Sequence, residues 1–345
     1  MAQLMASRSI ILSAVLLSGC FQLSACGVPS KPAAKFKVAM VAAAPGTGYE
    51  AYNQQAAAGL SECKRRTGTD VAVVQTDSPA DYERQIVLLA TENYDAVLGI
   101  GFTMAPDVDR ASRRFDINHF IIVDAVVDQP NVDSITFAEQ EGAFLAGALA
   151  AMASRSKSVA FVGGRDVPLL RKSESGFEAG VREIDPGIKV RVRYLESFDD
   201  PQGAKRLAAS LFETGTDIVY VVAGKSGPGA IEAAKARKGA FVIGADSVQD
   251  GLAPGKVLTS VVKRVDVAAL RGCLEIVAEK PASGHRILGL ADGGIALTDF
   301  PYTKAYVGAA NIAHLDRIRQ AIVDGTIVPP STPAELSAFR PTRVP

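Results

Sequence analysis

Asp95-Ala96-Val97-Leu98-Gly99-Ile100-Gly101, leading to Pro106, and Asp217-Ile218-Val219-Tyr220-Val221-Val222-Ala223-Gly224, leading to Pro228, are two copies of one pattern. Each is an aspartate, an apolar run too short for a helix, a glycine turn, and a proline just inside the next amphipathic stretch. The match extends outward at constant spacing. Asp77, Pro79, Arg84 and Leu89 return as Asp199, Pro201, Arg206 and Leu211, and Ile121 and Asp124 return as Ile243 and Asp246. One residue out of register, Val38-Ala39-Met40-Val41 returns as Val159-Ala160-Phe161-Val162. Strand ends, turn prolines and terminal aspartates keep step. The chain therefore reads as two similar lobes, and a site that uses both lies between them.

From Lys37 onward short apolar runs alternate with helical stretches, the signature of a parallel sheet with crossover helices. Strands are expected at Val38–Ala43, Val71–Gln75, Ala96–Gly101, Phe120–Val123, Ser158–Val162, Val190–Tyr194, Ile218–Val222, Phe241–Gly244 and Val257–Val262. They are rich in Val and Ile and apolar on both faces, as strands covered on both sides must be. Helices are expected over Glu139–Met152, Pro201–Thr214, Asp266–Ala278 and Ile312–Val323. In the second of these, Ala204, Leu207, Ala208, Leu211 and Phe212 form one apolar stripe, with Asp200 as cap and Pro201 in the first turn.

Lys plus Arg equals Asp plus Glu at 37 each, and no block of five like charges occurs. Nothing in that balance attracts nucleic acid, which is excluded as an expected partner. The start of the chain reads as an export signal over residues 1–26. Arg8 precedes the apolar run Ile10–Leu17, too short to span a membrane, and two small-residue tetrads end in Cys20 and Cys26. Each tetrad resembles the lipobox of bacterial lipoproteins. Cys26 is favoured for lipidation, with Cys20 as the alternative, because Gly27-Val28-Pro29-Ser30-Lys31-Pro32 behind it reads as a flexible tether, placed over residues 27–36. A lipid-anchored protein facing the periplasm or exterior is expected. Behind the signal only Cys63 and Cys273 remain, on expected helices, open to a disulfide or to two separate buried thiols. His119, His285 and His314 are scattered, so no metal site and no cofactor are expected.

In open parallel sheets ligands sit beyond the carboxyl ends of the strands. Those ends carry Tyr52 and Asn53 after the first strand, then Gly101 and Phe102, then Asp124. In the second copy they carry Phe198, Gly224 and Gly227, then Asp246. The set has the chemistry of a nucleoside site. Tyr52 and Phe198, one from each lobe, are placed to stack on a planar base. Asp124 and Asp246 would accept from sugar hydroxyls or base N–H groups. Asn53 offers a donor and an acceptor to a base edge, and the glycines let backbone N–H groups approach. Tyr52 reads equally as a core residue of its helix, Phe198 as a hydrophobic staple, and Lys263, taken alone, as a solvated lysine.

Several blocks together are similar to the basic membrane protein (BMP) family of nucleoside-binding lipoproteins that serve ABC-type importers. They include Tyr52-Asn53-Gln54, Phe137-Ala138-Glu139-Gln140-Glu141-Gly142, Ser175-Gly176-Phe177-Glu178-Ala179-Gly180, Ser197-Phe198-Asp199-Asp200-Pro201, Ala223-Gly224-Lys225-Ser226-Gly227, Ile243-Gly244-Ala245-Asp246 and Leu258 to Asp266. The resemblance runs from Val38 to about Pro330. It implies an α/β fold of two Rossmann-like lobes joined by a hinge, the type I periplasmic-binding-protein fold. Lobe one would be residues 37–136 plus about 263–290, and lobe two 137–262 plus about 291–330, with 331–345 as a tail. It also implies base stacking at Tyr52 and Phe198, sugar contacts from Asp246, and polar contacts from Asn53, Asp124 and Lys263. The chain departs from the family at Tyr49, where an acid is usual, at Tyr52, where Phe is favoured, and at Asp199, where many members carry Asn.

The function expected is a non-enzymatic solute-binding protein, a monomer, that takes a nucleoside (a purine nucleoside by default) and passes it to a membrane permease. A nucleoside-sensing receptor is the alternative. A nucleoside hydrolase is disfavoured, because the first strand ends Ala42-Ala43-Ala44-Pro45 without the acid such an enzyme needs for a metal and water.

Overall fold

The computed structural model describes residues 36–344. The first run of elements is β1 (Lys37–Val41), α1 (Glu50–Thr67), β2 (Asp70–Val74), α2 (Tyr82–Thr91), β3 (Ala96–Ile100), α3 (Ala105–Arg114), β4 (His119–Val123) and β5 (Val132–Phe137). Helix α4 (Glu139–Ala153) opens the second run. It continues with β6 (Ser158–Gly163), α5 (Pro168–Ile184), β7 (Lys189–Tyr194), α6 (Pro201–Glu213), β8 (Ile218–Val222), α7 (Gly227–Lys235), β9 (Phe241–Asp246) and β10 (Val257–Lys263). The closing elements are α8 (Val265–Val277), β11 (Gly284–Leu288), β12 (Ile295–Leu297), α9 (Lys304–Val307), α10 (Ala309–Val323) and α11 (Pro333–Ala338).

The strands form two six-stranded sheets, ordered β11-β5-β4-β3-β1-β2 and β12-β10-β9-β8-β6-β7. Strand for strand the orders correspond, so the repeat in the sequence is a repeat of topology. All pairings are parallel except β12, which runs antiparallel to β10. The central strands β3, β6, β8 and β10 are buried along their whole length, which is why they are apolar on both faces. Prolines recur in the first turn of α3, α6 and α7, where a missing N–H costs nothing. At α6 the Asp200 carboxylate accepts from the Gly203 N–H at 2.7 Å, the expected cap.

Two strands, β5 and β11, escape the sequence pattern. Asp133 and Ser134 interrupt β5 yet are buried. The Asp133 carboxylate pairs with Arg286 of β11, which also reaches Glu275 of α8 at 2.8 Å. A charge neutralised by a distant partner makes a polar strand tolerable inside, and local periodicity does not reveal it.

The chain passes between the sheets three times: from β5 to α4, from β10 to α8, and from β11 to β12. Cys63 of α1 and Cys273 of α8 form a disulfide, fully buried on the face of the first sheet. The sequence left this pairing open because the two cysteines lie far apart in the chain. Residues beyond 330, read from sequence as a tail, are packed. Phe339 meets Phe144 edge-on at 5.8 Å, and the Thr342 and Val344 N–H groups donate to Glu183. The expected signal and lipidation cysteines, Cys20 and Cys26, lie outside the described residues.

Candidate functional site between the sheets

The repeat places an aspartate at the end of β4 and another at the end of β9, and both adopt the left-handed backbone. Asp124 has φ 65° and Asp246 has φ 68°. Non-glycine residues pay about 1–3 kcal/mol for that conformation, and strain of this kind concentrates at binding sites. The same geometry at equivalent places in both sheets turns both carboxylates into the space between the lobes.

Lys263 joins them. Its Nζ lies 3.0 Å from Asp124 Oδ1, 3.1 Å from Glu139 Oε1 and 3.9 Å from Asp246 Oδ1. Glu139 Oε2 in turn accepts from Lys172 Nζ at 2.7 Å, and Lys172 also donates to the Phe137 carbonyl. Lys263 is buried, 6% exposed, which corrects its reading as a solvated lysine: it ends a strand that is covered on both faces. Burial disfavours its ammonium, but Asp124, Tyr52, Glu139 and Asp246 outweigh that cost, and its pKa stands well above the ordinary value. Asp246 is the opposite case. Burial lifts its pKa, Lys263 opposes the rise, and Asp124 and Glu139 add to it. Three carboxylates face two ammonium groups, and Asp246 is the one least compensated. A third of its side chain still faces the cleft.

Aromatic rings line the approach. Tyr52 is 6% exposed. Its ring meets Tyr49 edge-on at 5.6 Å, and its hydroxyl faces the Asp246 carboxylate of the other lobe. Of the two rings expected to stack, Tyr52 is the more covered. Phe198 is the open ring, 39% exposed. It lies on Gly164, where a Cβ would come within 2.4 Å of its Cδ1. The Phe198 carbonyl accepts from the Ser226 N–H, and Ser226 Oγ accepts from Asp200 N–H, so the capping turn of α6 positions the ring.

The other expected residues fall as follows. Gly101, at φ 84°, ends β3 beneath the Tyr49 ring, and Phe102 beside it is largely exposed. Gly224, at φ 53°, backs the Phe198 turn. Gly227 opens α7, where a Cβ would meet nothing within 4 Å, so no tight protein contact requires a glycine there. Asn53 is anchored within the first lobe. Its Oδ1 accepts from Ala43 N–H at 2.9 Å and its Nδ2 donates to Ala43 O at 2.8 Å. The amide expected to read a base edge instead ties α1 to the end of β1.

Four residues take places in the cleft that the sequence did not assign them. Glu139 and Lys172 complete the charged cluster; the two acids, Glu139 and Glu141, heading the otherwise apolar helix α4 were the available signal. Lys225 reaches across the mouth and donates to the Gly46 carbonyl of the first lobe, with Asp199 at 3.9 Å. Tyr49 fills the first-lobe wall. Beyond α1 the lobes part into a groove of about 540 Å³ between Gln54, Gln55 and Ala58 on one side and Ser247, Val248 and Thr298 on the other.

A family model described as ABC transporter substrate-binding protein PnrA-like matches residues 36–332, nearly all of the described chain. The chain belongs to the Bmp family. Its similarity extends to the ABC transporter nucleoside-binding protein BmpA of Lactococcus lactis, 31% identical over 94% of this chain and 97% of that protein. Basic membrane protein D of Borreliella burgdorferi is 31% identical over 77% of this chain and 80% of its own length. Among solved structures, an ABC transporter solute-binding protein from Aeropyrum pernix superposes with a TM-score of 0.70 at 24% identity, covering 88% of this chain and 96% of that one. This Bmp-family chain is thus a two-lobed substrate-binding protein of an ABC importer, with the type I periplasmic-binding-protein fold. Among the described residues no helix is long and apolar enough to cross a membrane. Nor does any group of His, Cys, Asp and Glu among them have an arrangement that could hold a metal ion. Where carboxylates do converge, the Lys263 ammonium already occupies the centre.

Proposed function

We propose that this Bmp-family protein binds a neutral nucleoside, a purine nucleoside by default, between its lobes and hands it unchanged to a membrane permease. The observation that carries the reading is the charged cluster at the strand ends, drawn from both lobes, with one carboxylate left short of positive partners. Asp246 has acceptor capacity to spare and faces the cleft. Sugar hydroxyls supply donors without adding charge, and each charge-assisted bond is worth about 1.5–3 kcal/mol. A phosphorylated ligand would bring further negative charge against Asp124, Glu139 and Asp246 and is disfavoured. The open Phe198 ring offers a stacking face for a base, worth about 1–3 kcal/mol. The name of the Lactococcus relative agrees with the same ligand class.

In this reading the protein makes and breaks no bond, works as a monomer, and is held outside the cytoplasm by a lipid on Cys26 or Cys20. Isothermal titration with inosine, adenosine and guanosine tests it. One-to-one binding is expected, with no free base released on long incubation. Release of base, or the absence of any binding, overturns the reading.

A further inference from the structure

A nucleoside site needs a group that tells bases apart, and most of the cluster does not do so. A ring stacked on Phe198 tolerates any base, because every base has a π-face. Asp246 facing sugar hydroxyls treats all ribonucleosides alike. Asn53, the amide suited to a base edge, is held against the Ala43 backbone through one lone pair of its oxygen and one N–H of its nitrogen. Tyr49 remains.

Tyr49 stands one residue before α1, and its side chain makes no capping hydrogen bond. The tip of its ring rests on Gly101, where a Cβ would lie 2.4 Å from Cζ. The ring meets Tyr52 edge-on at 5.6 Å and Phe102 edge-on at 6.3 Å. These contacts fix it as the wall between the exposed mouth and the charged floor. Asp124, Lys263 and Asp246 act on its hydroxyl, which accepts from the Phe102 backbone and keeps its own proton to donate. Burial first, and the Asp124 charge second, push its pKa further above the ordinary tyrosine value. It is a neutral phenol able to donate and to accept.

We propose that Tyr49 is the specificity-determining residue of the cleft, its ring setting the outline a base must fit and its hydroxyl reading one polar atom of the base edge. The proposal rests on the nucleoside reading above. A site that hydrogen-bonds a substrate group discriminates strongly against analogues lacking that group, and removing the protein's half of the bond relaxes the discrimination.

The test is a matrix of dissociation constants by isothermal titration for inosine, adenosine, guanosine, uridine and cytidine, against wild type, Tyr49→Phe, Tyr49→Ala and Phe198→Ala. Tyr49→Phe keeps the ring and its packing. It is expected to compress the ratio between best and worst nucleosides by about tenfold, the effect of losing one selective bond. Tyr49→Ala is expected to reorder the series as the wall is removed, while Phe198→Ala weakens all five in parallel. If Tyr49→Ala does not fold, as judged by its melting curve, Tyr49→Phe decides alone. Ratios unchanged in Tyr49→Phe, or a uniform loss across the five, overturn the proposal and leave the nucleoside reading standing. Wild-type protein that binds none of the five overturns both.

Discussion

Asp124 and Asp246 are chemically the same residue in the same backbone conformation at equivalent ends of two sheets, yet their surroundings separate them. Asp124 bonds Lys263 directly, whereas Asp246 sits farther from it and is destabilised as an anion by burial. Its raised pKa has a consequence for binding. The ionised form accepts from ligand hydroxyls, so affinity falls on acidification, starting at a pH above the ordinary aspartate range. The contribution of Asp246 to stability has the opposite sign. The folded state holds this proton more tightly than the unfolded chain, so the group adds stability as pH falls through its folded pKa. Titrations at descending pH should therefore show affinity lost before the fold melts, and Asp246→Asn should bind weakly but without that acid limb. An affinity of the wild type that stays flat down to the ordinary aspartate range would exclude Asp246 as the acceptor.

Helices α1 and α8 belong to distant parts of the chain and are brought together as one layer over the first sheet. Gly59 of α1 approaches the Asp266 carbonyl so closely that a Cβ there would lie 2.2 Å from it, and the Cys63–Cys273 bond pins the contact. The bridge closes a loop spanning a sequence separation of 210 residues, which in the chain-entropy account restricts the unfolded state by about 5 kcal/mol. Replacing both cysteines with alanine should lower unfolding free energy by about 2–5 kcal/mol in urea titrations. Ligand affinity should be unchanged, since neither sulfur faces the cleft. Loss of affinity without loss of stability would mean that this helix pair shapes the site rather than the lobe. The polar strands β5 and β11 make a related point. Their ion pair through Asp133 and Arg286 exists only once the late strand has returned to the first sheet, so neither strand is legible from its own residues.

Across the whole molecule, the mouth is bridged by Lys225, which extends from the turn before α7 to the Gly46 carbonyl. Glu50 holds the other side of that loop through the Gly46 N–H at 2.7 Å. A contact that exists only when the lobes are together favours closure and resists opening, so it acts on departure more than on arrival. Lys225→Met should raise the ligand dissociation rate by roughly fivefold, the kinetic equivalent of about 1 kcal/mol, with association little changed. Stopped-flow tyrosine fluorescence is suited to the measurement, the chain having no tryptophan. A slower association with unaltered release would contradict a role in closure.

Much of this molecule is written locally. Apolar runs bounded by aspartate, glycine and proline announce strands and their turns, because burial on both faces and backbone geometry are demands each short segment meets alone. Their recurrence at fixed spacing announces two matched sheets, and it puts Asp124 and Asp246 at corresponding strand ends. Which side chains remain free is another matter. Asn53 is spent on Ala43, Lys263 is buried among carboxylates from both lobes, Tyr49 rests on Gly101, and Cys63 meets Cys273, all through neighbours remote in the chain. Hydrogen-bonding capacity and charge are settled by whoever stands opposite, and only folding determines who that is.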